Sequence, residues 1–159
     1  MIQQELARLF DRDLQRLLQE IESFPDDASL WATVPGVTNS AGNLALHVNG
    51  NLREFVGRQM DDVAYIRQRD REFAARGLPI GEMYALIDDL RYLVPSTVER
   101  LSDEQLAATG NADHVGVPIT NRQFLMHLHG HLSYHLGQID YLRRILTNGE
   151  PIRFVGLAK

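Results

Sequence analysis

Length, composition and charge exclude several classes of protein. The chain has 159 residues, 44% of them hydrophobic and 23% charged, which is ordinary for one globular domain and unlike collagen-like or disordered compositions. The net charge of −5 disfavours a nucleic-acid or anionic-membrane partner, and the absence of cysteine excludes disulfides and thiolate metal ligands. Because neither a signal-peptide pattern nor an apolar run of about 18 residues occurs, we expect a cytoplasmic protein without a membrane span.

Four helices are predicted from apolar residues that recur every three or four positions. The segments between them are rich in proline, glycine and polar residues and are predicted to be connections. Residues 59–79 are the most ambiguous of these segments, and we expect an irregular connection there. The pattern predicts an all-α four-helix bundle with long connections, forming a single domain over residues 1–159. The predicted helices span residues 2–24, 40–58, 80–101 and 121–147.

The predicted last helix carries four of the six histidines. His127, His131 and His135 recur every four residues and therefore share the apolar face, whereas His129 points away and is expected to be solvated. A buried imidazole needs a partner, because burying it unpaired costs about 1–3 kcal/mol. A metal ion is one such partner, and H-x-x-x-H on a helix is a recurring way to present two imidazoles to one ion. Histidines that are only hydrogen-bonded in the core are the alternative interpretation.

Helix geometry limits which histidines can bind the same ion. Neighbouring members of the series lie about 6 Å apart along the axis and the outer two about 12 Å, so the pair is His127 with His131 or His131 with His135. A third ligand is expected from the second helix, where His47 lies beside the apolar face. His114 lies in a connection and is a weaker candidate. Three histidines leave coordination positions open, as catalytic metal sites do.

Two stretches of the chain resemble the DinB-like superfamily of metal-binding four-helix bundles. They are NSAGNLALHVNGNL over residues 39–52 and HLHGHLSYHLGQIDYLRRIL over residues 127–146. The resemblance implies that His47, His131 and His135 bind a divalent ion, with zinc or nickel favoured. Many members have arginine directly after the last ligand, where this chain has Leu136. Any role of that arginine is therefore not carried over to this chain. The resemblance implies a closer tie to an uncharacterised branch of the superfamily than to its characterised enzymes.

The resemblance also implies a function. Characterised members include transferases that use low-molecular-weight thiols, so a metal-dependent transfer of such a thiol to a small electrophile is implied. Since a divalent ion lowers the pKa of a bound thiol or water, the same site also suits a metal-dependent hydrolase. A non-catalytic, metal-stabilised stress or ligand-binding protein is the third possibility. A small-molecule substrate and a homodimer are the expected partners.

Three further residues are candidates to support the ligands. Asn51 lies one turn beyond His47, and Gln138 lies close to one turn beyond His135, so each can hold a ligand or a bound water in place. His127 either hydrogen-bonds near the site or fills the core. The arginine-rich stretch over residues 65–73 either binds carboxylates of a substrate or cofactor, or forms a solvated, ion-paired loop.

Overall fold

The computed structural model describes residues 1–110 and 112–153, with residues 112 and 113 described by their backbone alone. Nine α-helices, one π-helical turn and one pair of two-residue strands lie in these ranges. The strands, β1 (Thr109–Gly110) and β2 (Ile119–Thr120), pair antiparallel. The helices are α1 (Ile2–Glu22), α2 (Asp27–Trp31), α3 (Ala41–Leu52), α4 (Gln59–Asp61), α5 (Arg69–Ala74), α6 (Ile80–Arg100), α7 (Asp103–Ala107), α8 (Ala112–Val115) and α9 (Asn121–Thr147).

The four long helices α1, α3, α6 and α9 form the predicted all-α bundle. Their apolar faces meet in one core, in which Phe10, Val48, Leu90 and Leu128 represent the four helices and are at most 1% exposed. The spacing of apolar residues therefore located each of these helices correctly. The last helix spans the predicted residues, and its capping box of Thr120 and Gln123 is present.

The second long helix continues further than predicted. A π-helical turn, Arg53–Arg58, follows α3 directly and leads into α4, which ends at Asp61. Asp62 then takes a left-handed backbone conformation with φ of 52° and terminates the helix. Such π-helical turns often occur beside functional sites.

The connection from residue 62 to residue 79 is irregular apart from the short helix α5. The side chain of Asn43 fastens it to α3, because Asn43 Nδ2 donates hydrogen bonds to the carbonyl oxygens of Glu72, Phe73 and Ala75 at 3.0–3.1 Å. This anchor places α5 against the face of α3 that carries His47.

In the part of the chain that the structure describes, no helix is both long enough and apolar enough to cross a membrane.

Candidate metal centre

Three histidines from two helices converge inside the bundle. His47 lies on α3, and His131 and His135 lie one turn apart on α9. The Nε2 atom of His131 is 3.2 Å from that of His47 and 3.1 Å from that of His135. His47 is buried, and the other two are half-buried. The three residues form a group that can hold a metal ion, with candidate ligand atoms within 4.8 Å of one another.

Hydrogen bonds at Nδ1 orient the rings of His47 and His135, so that their Nε2 atoms face the centre of the group. His47 Nδ1 lies 2.9 Å from Glu72 Oε2, and His135 Nδ1 lies 2.7 Å from Gln138 Oε1. Each of these oxygens accepts a hydrogen bond, so each Nδ1 carries the proton and each Nε2 presents its lone pair. The protein thereby selects the tautomer that ligates through Nε2.

Three features of the structure determine the position of the Glu72 side chain. Arg67 donates to both carboxylate oxygens, with Nε 2.8 Å from Oε1 and Nη2 2.9 Å from Oε2. The backbone of Glu72 is tied to Asn43, as described above. Gly50, one turn after His47, leaves the space that the carboxylate occupies, because a Cβ atom at this position would overlap Glu72 Oε1. The glycine therefore allows the carboxylate to approach α3.

The electrostatics of the site keep His131 and His135 neutral and Glu72 ionised. Burial, together with the neighbouring His135 and His47, lowers the pKa of His131 to about 4. Burial also lowers the pKa of His135, against a raising contribution from its hydrogen bond to Gln138. Burial alone would raise the pKa of Glu72, but the hydrogen bonds from His47 and Arg67 outweigh it and lower the pKa. Neutral imidazoles are the form that binds metal ions.

Two of the three separations between the ligand nitrogens match those expected around a first-row divalent ion. With metal–nitrogen distances of about 2.1 Å, two ligand nitrogens lie about 3.0 Å apart at a right angle and about 3.4 Å apart at a tetrahedral angle. The observed separations of 3.1 and 3.2 Å fall between these values. The donor set therefore suits a divalent ion with open coordination positions.

One of the predicted supporting residues contacts a candidate ligand. Gln138 binds His135, as expected for a residue that orients a ligand. Asn51 is buried on the face of α3 that carries His47, and its Oδ1 has no hydrogen-bond partner among the residues described.

The other histidines lie outside the group of three. His127 is exposed and stacks on Phe124, because successive steps of four residues rotate about 40° around a helix and carry it to the edge of the shared face. His114 is also exposed and packs edge-on against Phe55. His129 was expected to be solvated but is only 18% exposed, and its Nε2 lies 3.0 Å from Asp13 Oδ2 on α1.

Sequence reasoning did not identify Glu72, the carboxylate that holds His47. It lies in the connection that was expected to be irregular, 25 residues from its partner, so helical periodicity gave no indication of the contact. One available signal was Gly50 on the face of α3 that carries His47, since a glycine within a helix often marks close packing. The arginine-rich stretch is divided: Arg67 binds Glu72, whereas Arg69 and Arg71 are exposed.

Comparisons with known proteins agree with this architecture. Residues 9–139 match the family profile described as the DinB superfamily. The crystal structure of a DinB-like protein from Bacillus cereus ATCC 10987 is similar in fold, with a TM-score of 0.65 and 17% sequence identity over 84% of this chain and 85% of that chain. No curated protein matches the chain at a significant level. Since the family match covers most of its length, the chain belongs to the DinB superfamily.

Proposed function

We propose that this member of the DinB superfamily binds one zinc or nickel ion through His47, His131 and His135 and transfers a low-molecular-weight thiol to a small electrophile. The observation that carries the proposal is the convergence of three Nε2 atoms, with separations of 3.2 and 3.1 Å, in a half-buried position. Glu72 accepts a hydrogen bond from His47 Nδ1, and Gln138 accepts one from His135 Nδ1. Neither side chain is therefore a ligand of the ion in this proposal.

A divalent ion at this position lowers the pKa of a bound thiol and so supplies a thiolate at neutral pH. The chain's own contribution is to keep the donor set neutral. Three uncharged imidazoles leave the double positive charge uncompensated, and Arg67 balances the charge of Glu72 one contact further away. Because the chain has no cysteine, the thiol arrives with the cosubstrate.

The test is turnover of an electrophile with and without added thiol. We expect the metal-loaded protein to accelerate the reaction of glutathione or free cysteine with 1-chloro-2,4-dinitrobenzene. In this reaction sulfur bonds to the ring carbon, chloride leaves and the thiol proton passes to solvent. His131→Ala removes a proposed ligand, and His127→Ala, at an exposed position on the same helix, is the matched control.

The outcomes separate the three functions considered. Turnover that needs thiol and is lost in His131→Ala supports the transferase. Hydrolysis of a 4-nitrophenyl ester without thiol, with the same dependence on His131, would replace the transferase by a hydrolase. Stabilisation by the ion without turnover of any electrophile tested would favour the non-catalytic, metal-stabilised protein.

We also infer that two copies of the chain associate through α9. Tyr134, Tyr141 and Ile145 are each more than 60% exposed and recur at intervals of seven and four residues, which places them on one face of the helix. A continuous apolar stripe on a long helix can pair with the same stripe of a second copy around a two-fold axis. The exposed Val37 and the half-buried Val34 extend this apolar surface beyond α9.

A further inference from the structure

A cleft of about 620 Å³ separates part of α3 from the connection over residues 62–79. The three histidines of the candidate metal centre do not line it. Arg71 and Arg76, which do line it, are both exposed, so the cleft is open to solvent. A small molecule can therefore reach the side chains along its walls.

Arg76 is held at this cleft by hydrogen bonds from one end of its guanidinium group. Nη1 donates to Asn43 Oδ1 at 2.9 Å and to the carbonyl oxygens of Phe73 at 3.0 Å and Ala75 at 2.6 Å. All three acceptors are uncharged. The Nε and Nη2 atoms have no partner in the described part of the chain. The guanidinium group is therefore fixed in orientation and keeps one edge with two parallel donors, which matches a carboxylate or phosphate.

Two further donors line the same cleft. The side chain of Arg71 forms no hydrogen bond or ion pair with a described residue. Asn49 is 7% exposed, and its Oδ1 accepts a hydrogen bond from Arg53 Nε at 3.0 Å, so its amino group is the end that remains. This Nδ2 atom has no partner among the described residues and is not fully enclosed. A molecule in the cleft can therefore accept a hydrogen bond from it.

The charge of the cleft is positive. Among the described residues that line it, Glu72 alone carries a negative charge. Both oxygens of Glu72 accept hydrogen bonds from Arg67, and Oε2 also lies 2.9 Å from His47 Nδ1. Because this carboxylate is already paired, the charges of Arg71 and Arg76 remain uncompensated.

We propose that this cleft binds a small molecule in which one carboxylate or phosphate group is attached to an apolar body. The oxyanion pairs with the Nε–Nη2 edge of Arg76, next to Arg71 and the amino group of Asn49. The apolar body covers Ile66, which lines the cleft and is 86% exposed. This binding site is additional to the proposed metal-dependent reaction and does not depend on it.

The test compares benzoate and phenyl phosphate with benzamide, which has the same ring and no charge. We expect wild-type protein to bind at least one of the two anions about tenfold more tightly than benzamide in titrations followed by NMR. This ratio is the lower end of what hydrogen bonds to charged groups contribute. The tighter of the two anions identifies the group that the cleft prefers. Equal binding of all three molecules would overturn the proposal.

Arg76→Gln should abolish the preference for the anion, because it removes the edge with two donors. Since Arg76 also holds Asn43, Arg71→Gln provides a second variant, which should weaken anion binding about threefold without affecting folding. Arg69→Gln is the matched control: it makes the same change of charge two residues away, and Arg69 lies over the ring of Phe73 at 5.3 Å, outside the lining of the cleft.

Anion binding that is unchanged in both Arg71→Gln and folded Arg76→Gln would overturn the proposal. Binding weakened as much in Arg69→Gln as in Arg71→Gln would also overturn it, because it would show a general effect of surface charge.

The same titrations with His131→Ala separate this inference from the proposed function, since an oxyanion can also bind a metal ion. A preference for the anion that persists in His131→Ala supports the cleft. A preference lost in this variant would assign the anion to the metal centre and overturn the cleft while supporting the ion. Wild-type protein that prefers the anion but holds no metal would retain the cleft and remove the metal-dependent reaction.

Discussion

Both faces of α9 present histidines to a neighbouring helix, and the partners they meet are of opposite character. Toward α3, the Nε2 atoms of His131 and His135 meet the Nε2 atom of His47. Toward α1, His129 Nε2 lies 3.0 Å from a carboxylate oxygen of Asp13. Histidines of one helix therefore face another imidazole nitrogen on one side and a carboxylate on the other.

The difference shows why histidine spacing alone does not define a metal site. Asp13 is buried and accepts hydrogen bonds from Arg12 Nε at 2.7 Å and Ser133 Oγ at 2.9 Å, so His129 faces a carboxylate that the protein itself holds in place. On the α3 face, the carboxylate of Glu72 lies behind His47, and the Nε2 atom of His47 faces His131. The group of three histidines on this face can hold a metal ion, whereas His129 on the other face meets a carboxylate.

The largest expected difference between the two faces is the response to metal. Adding Zn²⁺ to chelator-treated protein at a hundred times its Kd should raise the free energy of unfolding by about 2.7 kcal/mol. His129→Ala should show the same gain and His131→Ala none, as measured by denaturant unfolding with and without the ion. If the stabilisation by Zn²⁺ were lost in His129→Ala, the ion would bind on the face of α9 that packs on α1.

On the face of α9 that packs on α1, the contact of His129 with Asp13 should make the stability of the protein depend on acid instead. Burial alone would raise the pKa of Asp13, but hydrogen bonds from His129, Arg12 and Ser133 lower it from 3.8 to about 2. Because the folded-state pKa is the lower one, this stabilisation is complete above about pH 4 and is lost as the pH falls toward 2.

Asp13→Asn should therefore cost about 2 kcal/mol at pH 6 and progressively less below pH 4, as measured by urea unfolding across this range. A difference from wild type that stays constant down to pH 2 would mean that the carboxylate charge contributes nothing.

Weakening the support behind His47 should reduce metal affinity without removing a ligand. Glu72→Gln lacks the charged acceptor for His47 Nδ1 and should lower affinity about tenfold, as second-sphere changes commonly do. Gly50→Ala should act in the same direction, because its Cβ displaces the Glu72 carboxylate. Competition titrations with a chelator measure both effects.

Gly81→Ala is the control for the glycine substitution, since a Cβ atom at this position on α6 meets no heavy atom within 4 Å. Unchanged affinity in both Glu72→Gln and Gly50→Ala would show that Glu72 has no part in ligation.

The smallest effect concerns the exposed face of α9. Ile145→Lys places a charge in the apolar stripe and should shift the protein from dimer to monomer in light scattering, with metal content unchanged. Met126→Lys, at an exposed apolar position of the same helix outside this stripe, is the control for the added charge. A monomeric wild type would contradict the proposed pairing.

The sequence predicted correctly the helices that are determined by residues close to one another in the chain. The last helix carries its own capping box and a regular apolar stripe, and its observed bounds agree with the prediction. The resemblance to the DinB-like superfamily selected His47, His131 and His135, which the structure brings together. Spacing alone left two possible pairs on α9, because steps of four residues rotate only about 40° and keep three histidines near one face.

What could not be predicted depends on contacts between distant segments. Glu72 reaches His47 only because Asn43 fastens the connection that contains it and Gly50 leaves it space. The partner of His129 lies 116 residues away on another helix, so its solvation could not be judged from α9 alone.

The most direct test of the metal centre is elemental mass spectrometry on protein purified without a histidine tag. We predict about one zinc or nickel ion per chain, lost in His47→Ala, His131→Ala and His135→Ala and retained in His127→Ala. His127 is a better control than His129, whose partner Asp13 is buried. Absence of bound metal after incubation with Zn²⁺ and Ni²⁺, or equal metal content in folded variants of all four histidines, would contradict the account.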